Sequence, residues 1–259
     1  MLKAILFDLG DTLFDSKKMD RHAVFEQAGK QTYAYLESLG CTLPSYKRYF
    51  RRQALAVYTA YAWSLIRRRE FNTFDLLGKF CRKMKLNVED HQLRDLAWRW
   101  YSPIPTYTTV ADDVIPTLTK LRDRGYKLVI VSNTCIPGFV LDRHLDLHGL
   151  REFFPVRVYS SEFGYPKPDP RIFHEALNLA GVSASEAIFI GDRVKTDIIG
   201  ARRVGMRTVL RQIPGKSESQ ELPDFVIRKI SDLHQILPQV TSTRTAVDMP
   251  GVDELAYEG

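Results

Sequence analysis

The chain has 259 residues, of which 44% are hydrophobic and 26% charged, and its formal net charge is +6. This mixture suits a soluble protein with one large domain or a core plus a smaller one, and no apolar run approaches the roughly 18 residues of a membrane span. Cys41, Cys81 and Cys135 are widely spaced, odd in number and without a CxxC pair. That excludes a disulfide framework and a structural zinc site; with too short an apolar stretch after Met1 for a secretory signal, the reducing cytoplasm is the expected compartment.

In chain order, residues 4–7 form a short, continuous apolar run that reads as a buried strand. From about Ser16 to Trp100 no comparable strand occurs. Instead Leu55, Tyr58, Ala62 and Leu65, then Leu76, Leu77, Phe80 and Met84, then Leu93, Leu96 and Trp100 fall near helical spacing. These predict an inserted helical bundle with Trp63, Trp98 and Trp100 in its core. Ser102-Pro103-Ile104-Pro105 is a stiff return linker. Beyond it, apolar runs at 128–131, 156–159, 187–190 and 208–210 alternate with helices at 112–124 and 169–180. Gly125 and Gly181 stop those helices, and Pro170 fits a first helical position.

The pattern predicts an α/β fold: a Rossmann-like, doubly wound parallel sheet formed by residues 1–14 and 104–240, interrupted by an α-helical cap at 15–103. From about Gln239 the apolar periodicity fades, and residues 241–259 are expected to be a mobile tail.

The charge is unevenly placed. Residues 15–103 hold 17 lysines and arginines against nine acidic residues, whereas the remainder is close to neutral. Such a segment can attract anions. The basic runs Lys47-Arg48, Arg51-Arg52 and Arg67-Arg68-Arg69 nonetheless read first as a solvated helix face. No nucleic-acid-binding motif accompanies them, so a nucleic-acid partner is not expected. The six histidines show no paired metal-ligand spacing.

Four polar residues follow predicted strands directly or within one short loop: Asp8, Ser132, Lys167 and Asp192. Taken singly, each has an ordinary reading as a turn residue, a helix cap or a solvated loop lysine. Together they mean more, because an open parallel sheet binds ligands outside the carboxyl ends of its strands. Two carboxylates can hold a hard divalent cation there, and a lysine can neutralise a phosphoryl oxygen.

The text around these residues is Phe7-Asp8-Leu9-Gly10-Asp11-Thr12-Leu13, Val131-Ser132-Asn133-Thr134, Gly164-Tyr165-Pro166-Lys167-Pro168-Asp169-Pro170, and Gly191-Asp192 with Asp197 five residues on. In this order it resembles the haloacid dehalogenase-like hydrolase superfamily, in the subgroup whose helical cap follows the first motif. The resemblance spans residues 1 to about 210. It implies a phosphatase acting on a small anionic phosphorylated metabolite, with Asp8 as nucleophile forming an aspartyl phosphate. It implies Mg²⁺ held by Asp8, the backbone carbonyl of Gly10 and Asp192. Ser132, Asn133 and Lys167 would bind the phosphoryl group, and Asp197 would orient the metal's waters or Lys167.

One position departs from the family pattern. Its phosphatases usually carry a second aspartate two residues after the nucleophile as general acid and base, and here that place is Gly10. Asp11, one residue further, is the candidate substitute, although successive side chains need not point the same way. Loss of general acid–base catalysis typically costs about 10²- to 10⁴-fold. Two alternatives therefore stand beside the phosphatase: a catalytically weak phosphate-ligand or protein-binding module, and a haloacid dehalogenase, which also lacks that acid. The Gly191-Asp192 pair counts against the latter, because displacing halide with a carboxylate needs no metal.

Overall fold

A computed structural model describes residues 1–213 and 223–242 of the chain. Strand β1 (Ala4–Phe7) is fully buried and central. After it the chain forms a short strand, β2 (Asp15–Ser16), and four helices: α1 (Arg21–Ser38), α2 (Tyr46–Arg67), α3 (Thr73–Lys83) and α4 (Asp90–Tyr101). It returns through β3 (Thr108–Thr109), which pairs antiparallel with β2, so the two passages between sheet and insertion are tied into one ribbon.

From there helices and strands alternate: α5 (Val114–Asp123), β4 (Lys127–Ser132), α6 (Gly138–Leu147), β5 (Val156–Tyr159), a single turn α7 (Ser160–Phe163) and α8 (Pro170–Ala180). Then follow β6 (Ala187–Gly191), a π-helical turn at Val194–Ile198 running into α9 (Ile199–Arg203), β7 (Arg207–Arg211), β8 (Phe225–Ile227) and α10 (Leu233–Ser242).

The sheet order is β5-β4-β1-β6-β7-β8, with every pairing parallel. The chain winds outward from β1 through β4 and β5, then returns to β6 on the other side of β1. That reversal puts the topological switch point beside the carboxyl end of β1, where such sheets open a ligand crevice. Helices on both faces explain why β1, β4 and β6 read as continuous apolar runs rather than alternating ones. The helix starts follow local chemistry. Asp20 accepts from the His22 and Ala23 N–H groups to cap α1, Asn72 caps α3, and Asp169 caps α8 with Pro170 at its first position. Among the described residues, no helix is long and apolar enough to cross a membrane.

Two expectations fail in detail. The stripe Leu55, Tyr58, Ala62 and Leu65 faces outward, and Trp63 is exposed with it, whereas Trp98 and Trp100 pack partly buried against the core. The inward face of α2 instead carries Tyr49 and Gln53, whose side chains both donate to the Thr32 hydroxyl of α1, at 3.0 and 3.2 Å. These two hydrogen bonds hold Tyr49 and Gln53 inward against the pull of the larger apolar residues of α2, and they leave the buried Gln53 Oε1 without a partner among the described residues. The fading periodicity after Gln239 does not end the fold: α10 runs to Ser242, and Leu233, Leu237 and Val240 are buried in the main core cluster. Residues 243–259, the rest of the expected tail, lie outside the described residues.

Candidate active site

Asp8 continues β1: its N–H donates to the Ile190 carbonyl at 2.8 Å, which aims the side chain past the end of the sheet. There it meets Lys167, whose Nζ donates to Asp8 Oδ1 at 2.6 Å and lies 2.8 Å from Asp197 Oδ1. Asp8, Asp192 and Asp197 are all buried, and each offers a carboxylate oxygen within 4.8 Å of the others. Residues separated by up to 189 positions therefore gather at one point.

The supports are equally specific. Asn133 donates through Nδ2 to the Lys167 carbonyl at 2.8 Å and accepts the Lys167 N–H at 2.7 Å, a reciprocal clamp on the lysine's backbone. Asp197 Oδ2 accepts from the Arg193 N–H at 3.0 Å, and Thr196 donates to Oδ1 at 3.3 Å. A Cβ at Gly191 would stand 2.5 Å from the Asp197 side chain, so this glycine leaves the room in which Asp197 closes on the cluster.

Three carboxylates gather around one ammonium in a buried site. Burial pushes the Asp8 carboxyl up to about 7 from its usual 3.8; Lys167 pulls it down, while Asp197 and Asp192 push it further up. Burial acts to lower the Lys167 pKa, but Asp197 and Asp8 outweigh it, and the ammonium is held above its ordinary value. Three carboxylate oxygens within 4.8 Å of one another are hard donors that fit a divalent cation such as Mg²⁺.

A stability prediction follows. The folded Asp8 carboxyl keeps its proton to about 7 and the unfolded one releases it near 3.8, so the metal-free fold loses stability as pH rises through that window. A fixed Mg²⁺ concentration, 100-fold above its Kd at pH 8, should raise the melting temperature there by roughly 5–10 °C. Scanning calorimetry with and without EDTA should show a larger rise at pH 8 than at pH 5; equal or absent rises would count against a cation at these carboxylates.

Asp8, Lys167 and Asp197 line a cleft of about 290 Å³, and Asp192 is not among its lining residues. Ser132, buried at the end of β4, lines it, as do Asn133, Lys167, Gly10 and Asp11. Gly10 is exposed, and a Cβ built on it meets nothing within 4 Å. Asp11 has a left-handed backbone with φ 56°, and its Oδ1 accepts the Ser16 N–H at 3.2 Å. Thr12, buried, donates to Asp8 Oδ2 over a long 3.5 Å. None of Lys47, Arg48, Arg51, Arg52 and Arg67 to Arg69 lines the cleft, in keeping with a solvated basic face.

Sequence reasoning missed several contributors. Arg211, at the end of β7, donates to the carbonyls of Asp11 and Thr12 at 3.2 and 3.0 Å and pairs with Asp15 at 2.7 Å, bracing the loop after Asp8. Its place after the apolar run 208–210 was the available signal. Phe14, Tyr101, Thr108 and His144 form part of the cleft wall, and no motif marked them.

Known proteins resemble the chain over most of its length. The profile of the haloacid dehalogenase-like hydrolases matches residues 2–205. The glyceraldehyde 3-phosphate phosphatase of Methanopyrus kandleri is 32% identical over 248 residues, covering 93% of this chain and 99% of that one. The crystal structure of a HAD phosphatase from Thermococcus onnurineus is 26% identical with a TM-score of 0.56, covering 91% of this chain and 98% of that one. A 2-haloacid dehalogenase from Pseudomonas syringae pv. Tomato, at 24% identity and a TM-score of 0.62 over 92% of this chain and 99% of that one, shares the fold.

Proposed function

Because the chain belongs to the haloacid dehalogenase-like hydrolase family, we propose that it is a Mg²⁺-dependent phosphatase that cleaves a small phosphate monoester through an aspartyl phosphate on Asp8. The observation that carries this reading is the buried Asp8–Lys167–Asp197 array with Asp192 beside it. An Asp8 oxygen attacks phosphorus and the bond to the leaving oxygen breaks; that oxygen takes up a proton and departs as the alcohol. Water then cleaves the aspartyl phosphate, releasing inorganic phosphate and restoring the carboxylate. Lys167 balances the charge of Asp8 and the phosphoryl oxygens, Ser132 donates to those oxygens, and Asp197 with the Asn133 clamp keeps the lysine in place. Asp8, the Gly10 carbonyl and Asp192 would hold Mg²⁺, which supplies charge neutralisation between nucleophile and phosphoryl group when bound.

A cleft of about 290 Å³ sits at the small end of ligand pockets. It supports a phosphorylated metabolite of a few carbons, in line with the glyceraldehyde 3-phosphate phosphatases among the relatives. Residues 15–103 act as the cap that closes over it and excludes water.

The test is turnover of p-nitrophenyl phosphate and a panel of small phosphate esters, triose phosphates included, with Mg²⁺ and with EDTA. Chelation should abolish the rate; a rate indifferent to EDTA would sink the metal-dependent reading. Lys167→Met should lower kcat by about 10²- to 10³-fold, the usual loss for one preorganised donor. Steady-state kinetics check it, and a change confined to KM would contradict the assigned role.

Gly10 supports a second reading, a phosphate-ligand binder with weak catalysis, because it brings no acid and Asp11 is tied to Ser16. Mg²⁺-dependent binding of orthovanadate without turnover of any ester would favour it. A halide-release assay separates the dehalogenase reading.

A further inference from the structure

His144 touches both passages that connect the helical insertion to the sheet, and we infer that it is a pin fixing the α4 end of the insertion over the Asp8 cleft. The residue lies on α6 and is 1% exposed. Its ring stacks on Phe14, just before β2, with centroids 4.4 Å apart and planes 9° apart. Its Nδ1 is 2.8 Å from the hydroxyl of Tyr101, the last residue of α4. Its Nε2 is 2.9 Å from the hydroxyl of Thr108 on β3.

One neutral tautomer satisfies every one of these groups: the Thr108 hydroxyl can give its single proton to the Pro105 carbonyl at 3.0 Å. The Thr108 oxygen is then left to accept from Nε2–H, and the bare Nδ1 accepts from the Tyr101 hydroxyl. The relay Tyr101 to His144 to Thr108 to Pro105 closes with a neutral imidazole. Burial, and secondarily the neighbouring His148, hold the His144 pKa down to about 4, which keeps it neutral.

The other contacts along α6 have little directional preference. Phe139 meets Phe74 of α3 edge-on at 5.4 Å, Arg94 of α4 lies over Phe139 at 4.8 Å, and Arg143 lies over Trp98 of α4 at 4.0 Å. Where α2 meets α3, the Glu70 and Thr73 N–H groups donate to the Gly164 and Cys135 carbonyls at 3.1 and 2.8 Å; along α4, where the ring faces tolerate sliding, the matched buried relay fixes the position. Phe14, Tyr101, Thr108 and His144 also line the cleft, so a shifted insertion would reshape the wall that meets the leaving group. His144 is on this account a positioning residue. The kinetic part of its test rests on the phosphatase reading; the structural part does not.

The experiment uses the full chain with Trp63→Phe and Trp100→Phe, which leaves Trp98 as a lone reporter of the α4–α6 contact. His144→Phe keeps a ring against Phe14 but cannot complete the relay, whereas His144→Gln can both donate and accept. His144→Phe should increase acrylamide quenching of Trp98 and raise KM for p-nitrophenyl phosphate roughly tenfold, as expected for two lost hydrogen bonds near the low end of their range, with a smaller change in kcat. His144→Gln should restore most of both. Tyr101→Phe and Thr108→Val should each reproduce part of the effect and add nothing to His144→Phe; they also carry the test if His144→Phe fails to fold. Unchanged Trp98 quenching in the relay variants, or His144→Gln behaving like His144→Phe, would overturn the pin. A wild type without phosphatase activity refutes the functional reading alone, because Trp98 quenching still decides for or against the pin.

Discussion

Asp8→Asn should reduce turnover at least about 10⁴-fold, as expected for removal of a covalent nucleophile, while raising the melting temperature of the metal-free protein at pH 8. Both effects have one cause. The carboxylate that would attack phosphorus is buried beside Asp192 and Asp197 with Lys167 as its countercharge. Holding a carboxyl up from 3.8 to about 7 corresponds to an upper bound of roughly 4 kcal/mol against the folded state at high pH. The asparagine oxygen can still accept from Lys167, which also keeps Asp197 at 2.8 Å. A net gain of about 2 kcal/mol would appear as a rise of roughly 4–8 °C. Since the folded Asp8 is largely protonated at pH 5, the gain should shrink there. Thermal denaturation in EDTA at both pH values, beside an ester assay in Mg²⁺, checks the pair. A variant that keeps its rate removes Asp8 as nucleophile, and one that melts lower at pH 8 contradicts the electrostatic account.

Strain of this kind at the reacting group was legible in the sequence only as position. Asp8, Lys167, Asp192 and Asp197 could be placed together because a doubly wound sheet leaves little freedom in where its strand ends point. The strands beside them emerged near their predicted places for the same reason: β1, β4 and β6 are buried on both faces and read as apolar runs, whereas β5, at the sheet edge, is interrupted by Arg157. β8 is three residues long with Val226 exposed, so no such run marks it. Helix rotation was harder, since the spacing of Leu55, Tyr58, Ala62 and Leu65 specifies a face without saying whether it turns inward; Gln53 and Thr32, 21 positions apart, decided that. The clamp of Asn133 on the Lys167 backbone and the reach of Arg211 to the carbonyls of Asp11 and Thr12 depend on loops meeting in space. Asn133 stood in the sequence as a phosphoryl ligand; its amide is engaged with the lysine it positions.

The departure at Gly10 leads to the opposite kind of variant, one that should gain activity. Gly10→Asp is sterically open, because the position is exposed, an added Cβ meets nothing within 4 Å, and its backbone lies outside the left-handed region. The new carboxyl would stand two residues after Asp8 on the lining of the same cleft, where a leaving alcohol needs its proton. The expected gain in kcat is about 10²- to 10⁴-fold on alkyl phosphates, and little on acyl phosphates, whose leaving groups need hardly any protonation. Asp11 is the competitor for the role, and Asp11→Asn tests it cleanly: asparagine tolerates the left-handed backbone and can still accept the Ser16 N–H. If Asp11→Asn lowers alkyl phosphate turnover by two orders of magnitude or more, while Gly10→Asp adds nothing, the proton already passes through Asp11 and the missing-acid argument fails. If Asp11→Asn is silent and Gly10→Asp accelerates alkyl esters alone, the slow step in the natural protein is departure of an unprotonated leaving group, and its own substrate is one that leaves without help.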